Sequence, residues 1–591
     1  MMIVVTACVG LRHYRIDNDL RRWMPDIAGD DNLAGMLIVG YDPQLEDGQD
    51  LAANLQAHTP AKTIIPFAGD GKLSGLLMLP DAHATGAQLL TAVRSELSGR
   101  PSVHPLAGPA VFAQAIDDWS QRGLSLTSGL VLLCGAMAVY LTTRSVAATS
   151  QSLFAIFSSQ LVLMGWISWS QQPMDMMLSM LPPLMMALGF SYAAHRAMRA
   201  DASLAMVLSM VTSAAGLLTF ALTDFASIRS FALWGALGVC LTWAAVMLLV
   251  RPASDASSSG EESVPGEGFD KPPLRSWQMK YAWLLTLAGL ILTAAGFVLC
   301  MNLKVESDVL RYFPASAKIV QDYRLLNDQL TGMLPFEVQV VEPAGSHPER
   351  LAEALAMLRS TPGVRLVIPI ATSIDTHSQH YLGMADNTAL TSLSAAQPDW
   401  QAWANAHHVT LKWQGVAAQL DHIGRSVIQT AMTAVPAMTI IAGLAAWVID
   451  RRLRSVLMSM YVNVFPVACL VLIAWGTGHP MGLATLVIFS LAIGMAVDDT
   501  LHLMVAAKKS GSMALATRLC FRPCLGSSLA VAICMAMFGF CAFKPTAEFG
   551  LLVAIVTLFA SAGDLILLPA AASLLEKYLP SQQVNSINQD S

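Results

Sequence analysis

The chain has 591 residues, 54% of them hydrophobic and only 13% charged, with a formal net charge of −6 and a mean hydropathy of +0.52. A charged share about half that of soluble domains reads as a membrane protein, and the lack of any basic run excludes nucleic acid as a partner. An enzyme is not expected: no Ser, His and acid grouping stands out, and "GDGKLSG" from Gly69 lacks the spacing of a phosphate-binding loop.

In chain order, "MMIVVTACVG" is apolar but reaches only about 15 Å as a helix, half a bilayer. It has neither the basic start nor the cleavage site of a signal peptide. Residues 1–10 therefore read as the remnant of transmembrane helix 1, with the true start upstream. A polar segment, 11–122, carries strand-like "GMLIVGY" and "KLSGLLMLP" and helix-like "QDLAANLQAH" and "GAQLLTAVRSELSG". Apolar windows at 124–143, 147–169, 175–195, 204–222 and 230–250 give transmembrane helices 2–6 over 123–250. Residues 251–279, rich in Ser, Gly, Glu and Pro, form a cytoplasmic linker.

Transmembrane helix 7 falls in 280–302, and a second polar segment covers 303–426. Its "FEVQVVE", "VRLVIPI" and "VTLKWQG" are strand-like, and "PERLAEALAMLRS" is an amphipathic helix. Both polar segments are expected to hold split βαβ, ferredoxin-like modules. Windows at 428–449, 455–476, 481–506, 524–543 and 548–572 give helices 8–12 over 427–575, followed by a cytoplasmic tail, 576–591.

Arg144, Arg196, Arg199, Arg451, Arg452, Arg454, Lys508, Lys509, Arg518 and Arg522 share one set of short loops, against Arg229 and Lys544 on the other. By the positive-inside rule the first set is cytoplasmic and both polar segments are extracytoplasmic. All nine cysteines lie in or beside apolar spans, so disulfides do not hold the outer segments. Cys520 and Cys524 are spaced i, i+4 but lack further nearby ligands for a metal. His407 and His422 read as solvated surface positions, and the 32 methionines as adaptable packing.

The order of polar segment and then five spans occurs twice, which points to two six-helix pseudo-repeats and twelve spans in all. "DNDLRRWMP" from Asp17 matches "ESDVLRYFP" from Glu306, and "SAAGLLTFALTDFASIRSFALWG" from Ser213 aligns without a gap to "SLAVAICMAMFGFCAFKPTAEFG" from Ser528. Gly108 pairs with Gly415, and His195 with His502, at the same offset (415 − 108 = 502 − 195 = 307).

The most informative stretch is "LAIGMAVDDTLHLMVAA", 491–507, which puts Asp498 and Asp499 in an apolar helix. A carboxylate at mid-membrane costs at least about 2.5–3.5 kcal/mol, so intramembrane acids are functional by default. Asp498 and His502 share a helix face, and Asp499 stands about 100° round. Adjacent carboxylates disfavour double ionisation, as a proton relay requires. Aligning the halves puts Ser191 opposite Asp498 and Tyr192 opposite Asp499, so the acids belong to the second half and face hydroxyls from the first. The expected relay is Asp498, with Asp499 as its partner, and Tyr192, Ser191, Thr500 and His502 as hydrogen-bonding groups. His195 is expected at the cytoplasmic interface, and Asp564 in a structural role near a helix end.

On "GMAVDDTLH" (494–502), "SYAAH" (191–195), "ESDVLRYFP", "RPCLGSSL" and the polar insert after the first span of each half, the chain resembles the resistance-nodulation-division superfamily, within it the MMPL-like branch of lipid and hydrophobe exporters. The resemblance implies a proton-motive-force-driven exporter in the bacterial cytoplasmic membrane, with two extracytoplasmic porter domains and no cofactor beyond the proton gradient. It implies a lipid or other hydrophobic substrate, a separate periplasmic carrier and a monomer or small oligomer. Several members carry an Asp-Tyr pair on both helices; here Tyr192 matches the Tyr and Ser191 replaces the Asp. One proton crossing on the order of 150 mV releases roughly 3.5 kcal/mol, enough to bias a two-state gate a few hundred-fold. The alternatives are a non-transporting sensor or assembly scaffold of the same fold, and a protein-translocation accessory factor.

Overall fold

The first polar segment folds through local signals that its sequence carries. Strand β1 (Leu37–Tyr41) leads to helix α1 (Gly48–His58), then β2 (Ala61–Ala68), β3 (Ser74–Pro80), helix α2 (Gly86–Leu97) and the short β4 (Leu106–Ala107). Asp47 caps α1 by accepting from the Gln49 amide, and Thr85 with Gln88 forms a reciprocal capping box at the start of α2. The strands pair antiparallel in the order β2-β3-β1-β4, the topology of a split βαβ, ferredoxin-like sheet.

The structure, a computed structural model, describes residues 35–68, 71–81, 83–100, 102–198, 203–252, 278, 280–300, 308–341, 348–373, 378–478, 480–482 and 487–578. The remnant of helix 1 expected at 1–10, "DNDLRRWMP", most of the linker and most of the tail lie outside the described residues.

A glycine ends each sheet and starts a helix of unusual length. Gly108, at φ 117°, leads into α3 (Pro109–Thr143, 35 residues), which stops at Arg144 in the left-handed conformation. A side chain at Gly108 would stand 2.6 Å from the Met36 carbonyl, so this chain reversal needs glycine. Four helices follow: α4 (Val146–Trp169), α5 (Leu181–Met198), α6 (Ser203–Leu218) and α7 (Ala226–Leu249). Helix α8 (Ala282–Leu299) comes next, then α9 (Lys318–Gln329).

The second sheet repeats the plan with β5 (Leu334–Val341), α10 (Pro348–Ser360), β6 (Val364–Ser373), β7 (Ser378–Ala385), α11 (Leu390–Ala406) and β8 (Thr410–Gln414). Its order, β6-β7-β5-β8, matches that of the first strand for strand. Gly415, at φ 85°, starts α12 (Gly415–Asp450, 36 residues), which stops at a left-handed Arg451. The last helices are α13 (Leu453–Thr477), α14 (Ile488–Ser510), α15 (Met513–Ala536) and α16 (Lys544–Ala562), with a π-helical turn at Gly563–Leu567 before α17 (Leu568–Tyr578).

Helix α9 follows α8 in sequence yet packs on the first sheet. Gly40 faces Leu326 of α9, Tyr41 faces Gly48 of α1, and the Leu73 amide donates to the Gln329 carbonyl. Successive residues of β1 thus point to two covered faces, which is why the whole strand is buried. Tyr323 of α9 also binds Gly108, accepting from its amide at 2.9 Å and donating to its carbonyl at 2.8 Å.

Among the described residues, nine helices are long and apolar enough to cross a membrane, and Thr127–Thr143 is a shorter apolar stretch of α3. Helix α5, expected as a span over 175–195, is not among the nine. The nine differ sharply in exposure: 94% of the apolar window of α14 is buried, against 17% of that of α8. Helix α14 is therefore the core of the bundle, and α8, with Leu287, Ile291 and Val298 exposed, lies on its rim.

Candidate functional site

Helix α14 reaches the core because small residues let α6 approach it. Gly494 and Gly216 face each other, and a side chain at Gly494 would stand 3.2 Å from the Thr212 carbonyl. Ser213 Oγ donates to the Gly494 carbonyl at 3.3 Å, and Ser490 Oγ to the Gly216 carbonyl at 3.3 Å. This is the small-residue packing with hydroxyl cross-links that holds helices together without a hydrophobic driving force. One turn further along α14 come Asp498 and Asp499, 8% and 6% exposed.

Each acid is held by side chains from other helices. Asp498 Oδ2 accepts from Ser191 Oγ of α5 at 3.1 Å, and its Oδ1 lies 3.5 Å from His502 Nε2. Asp499 Oδ1 accepts from Ser527 Oγ of α15 at 3.1 Å and lies 3.2 Å from His195 Nε2 of α5; its Oδ2 accepts from Ser528 Oγ. Hydrogen bonds to charged groups each contribute about 1.5–3 kcal/mol, so this ring of donors offsets much of the cost of placing two carboxylates in the bundle.

A third acid joins from the π-helical turn. Thr500 Oγ1 donates to Asp564 Oδ1 and lies 3.3 Å from Asn463 Oδ1 of α13, while Asn463 Nδ2 donates to the Ser459 carbonyl at 2.8 Å. Asp564 is 1% exposed. A π-turn widens a helix by one residue and often marks a functional position; here it belongs to the segment that places Asp564 against α14.

Behind the acids, His195 and His502 stack with ring centroids 3.9 Å apart and planes 4° from parallel. Ahead of them lies a cavity of about 30 Å³ lined by Asp498, Asp499, Ser191, Ser213, Ser527 and Ser528 on its polar side, and by valine, alanine and methionine side chains from α14, α15 and α16. About 10–15 Å³ is enough for one water centre, so this chamber has room for water beside the carboxylates.

Of the six residues expected in the relay, Asp498, Asp499, Ser191 and His502 are joined directly or through the stacked His195 ring, while Thr500 bonds a separate pair, Asp564 and Asn463. Tyr192 is buried with its hydroxyl beside Ser209 and Ser213 of α6, without a well-formed hydrogen bond but close enough to Asp498 to feel its charge. Two expectations need correction. His195, expected at an interface, is 1% exposed and faces Asp499. Asp564, expected near a helix end, lies in the π-helical turn inside a continuous helical run, buried against Thr500.

Ser527, Ser528 and Asn463 were not singled out as site residues; the only signal for the serines is the "GSS" within "RPCLGSSL". His422 is exposed, as expected, and His407 is half-buried with Nε2 3.3 Å from Glu353. Groups of metal-binding type also gather here: ligand atoms of His195, Asp498 and His502, and of His195, Asp499 and Cys524, come within 4.8 Å of one another. Cys524 thus has neighbours that its i, i+4 partner alone does not supply, but the carboxylates are already engaged by serines and imidazoles.

No family model matches the sequence, and no curated protein is a significant match to it.

Proposed function

We propose that this protein is a proton-motive-force-driven exporter of a lipid or other hydrophobic metabolite, of the resistance-nodulation-division type and its MMPL-like branch, working as a proton antiporter in the bacterial cytoplasmic membrane. The observation that carries this reading is the acid pair of α14, held by hydroxyls from α5 and α15 beside a chamber with room for water. A buried carboxylate that gains or loses a proton changes the charge of the bundle core, and its hydroxyl partners rearrange with it. Because α5 belongs to one half and α14 to the other, the bonds that rearrange lie between the two halves.

In this reading the two halves are six-helix repeats with twelve spans, and the two sheets are porter domains on the extracytoplasmic side. The matching strand orders, and the paired glycines that open α3 and α12, support the duplication. A mostly apolar cavity of about 90 Å³ between the helix bundle and α9, lined by Phe112, Ile116, Met177, Phe225, Leu420 and Ile423 among others, supports a hydrophobic substrate. Its walls come from both halves, so it lies where relative movement would reshape it.

The test is a deletion strain complemented with wild type, Asp498→Asn or Asp499→Asn, with outward lipids read by mass spectrometry. Export restored by wild type and lost in both variants, at equal protein in the membrane, supports the exporter. Identical lipid profiles in all strains would leave the sensor or scaffold as the reading.

A further inference from the structure

Asp498 and Asp499 have no acid opposite them on α5, but they do have a titratable group there. His195 comes from α5 and His502 from α14, and their rings lie face to face at 3.9 Å and 4°. Each presents Nε2 to a different acid, His195 to Asp499 at 3.2 Å and His502 to Asp498 at 3.5 Å. We propose that the two histidines act as one imidazole pair that holds a single proton and passes it between the acid pair and the basic end of the helix bundle. This rests on the proton-relay reading above and assigns His195 as the first half's contribution to it.

Three features of the geometry carry the assignment. First, the acids line the chamber and the imidazoles do not. His502 follows the acids along α14, and His195 follows Ser191 along α5, toward the ends that carry Lys508, Lys509 and Arg196. They therefore close the inner end of the chamber and stand between it and the basic face. Second, both rings are buried, at 1% and 2% exposure, and two imidazolium rings stacked at this distance repel strongly in a site poor in water. One proton is favoured by the facing carboxylates, and a second is opposed by the first. Third, Nδ1 of His195 is buried without a hydrogen-bond partner among the described residues, so the nitrogen remote from Asp499 is open to take or release a proton.

The other groups facing the pair do not replace it. Cys524 of α15 comes within 4.8 Å of His195 and Asp499, Cys520 of α15 bonds the His502 carbonyl, the Tyr192 hydroxyl of α5 lies beside Ser209 and Ser213 of α6, and Asp564 is engaged by Thr500. Histidine is the side chain that titrates between about pH 5 and 8 unaided, so the pair can change charge where the gradient operates.

The experiment is nitrogen NMR of imidazole-labelled full-length protein in lipid vesicles, titrated from about pH 8 to 5, on wild type, His195→Phe, His502→Phe and the double variant. Phenylalanine keeps a ring in the stack without a titrating nitrogen; glutamine variants stand in if a phenylalanine variant fails to insert. Relative to the double variant, wild type and each single variant should all gain one imidazolium. Two gained in wild type and one in each single variant would mean independent histidines, and none gained in wild type would mean a neutral pair; either result overturns the proposal. Infrared carboxyl bands of the same samples, compared with Asp498→Asn and Asp499→Asn, separate the two levels. Acids that change protonation beside histidines that do not would leave the relay standing without the pair, whereas acids that never change protonation would remove the relay itself.

Discussion

Helices α5 and α14 align in sequence at an offset of 307 residues, yet they carry opposite burdens. Helix α14 brings Asp498, Asp499, Thr500 and His502 into the bundle core, whereas α5 brings Ser191, Tyr192 and His195 and no acid. Ser191 is the residue that aligns with Asp498, 307 positions away, and it donates to that same aspartate. The pairing has thus become donor and acceptor where two identical residues would be two like charges. The serines that align within the following helices show the same division. Ser528 donates to Asp499, while Ser213 donates to the backbone of Gly494. One half carries the charge, and the other half, with α15, supplies what holds it.

The comparison breaks most sharply at the acids. In cells, Asp499→Asn should lower export to the level of the deletion strain while the protein remains inserted, because the amide keeps the shape but cannot ionise. Asp564→Asn, which lies off the chamber and hydrogen-bonds α14 through Thr500, should retain measurable export. Equal loss in both would mean that the acids act as one structural cluster.

Thr500→Val strands Asp564 by removing its donor, and a buried acceptor left unsatisfied costs about 1–3 kcal/mol, read as a lower unfolding midpoint in detergent. Gly494→Leu should cost a similar amount, about 1–3 kcal/mol, by overpacking the contact with α6. The atoms it meets on α6 are backbone, so trimming side chains there should not restore the midpoint.

Ser191→Asp restores a like residue to the first half and sharpens the comparison through pH. A carboxylate placed against Asp498 is held protonated more strongly in the folded protein than in the unfolded chain, so its contribution to stability is lost as pH rises. The variant should approach wild-type stability in acid and fall below it toward neutral pH. A constant gap across pH would show that the new side chain has turned away from Asp498.

The smallest effect lies in the first outer sheet domain. Burial pushes the Glu46 carboxyl up, but His104, Arg100 and Ser102 together hold it below the ordinary carboxylate value. Its stabilisation is therefore present at neutral pH and lost as pH falls through that lowered midpoint. Because the amide keeps the shape of the carboxylate and an acceptor oxygen for its partners, Glu46→Gln should cost about 1 kcal/mol. A larger cost would make this cluster as important to the fold as the membrane acids.

Along a single helix the sequence is informative, because spacing alone puts His502 on the face of Asp498, and one turn before them Gly494 marks close packing. The strand and helix alternation of both outer segments was legible for the same reason. What joins different helices was not. Asp564 reaches Thr500 across 64 residues, from a π-turn that no local pattern announces. His195 was placed by counting toward the loop, and depth along a helix says nothing about which helix it faces. Helix α9 lies in the second polar segment but covers the first sheet, a crossing that composition cannot reveal. The long helices α3 and α12 begin outside the apolar windows because their first turns are too polar to register as spans.

The most direct test uses proteoliposomes made from the total lipid extract of the expressing cells, with lipid transfer to an external acceptor followed under an imposed proton gradient. The account predicts transfer that stops when a protonophore collapses the gradient, and that is absent in Asp499→Asn even when the gradient is intact. Transfer that proceeds equally with and without the gradient, or equally in wild type and Asp499→Asn, would contradict it.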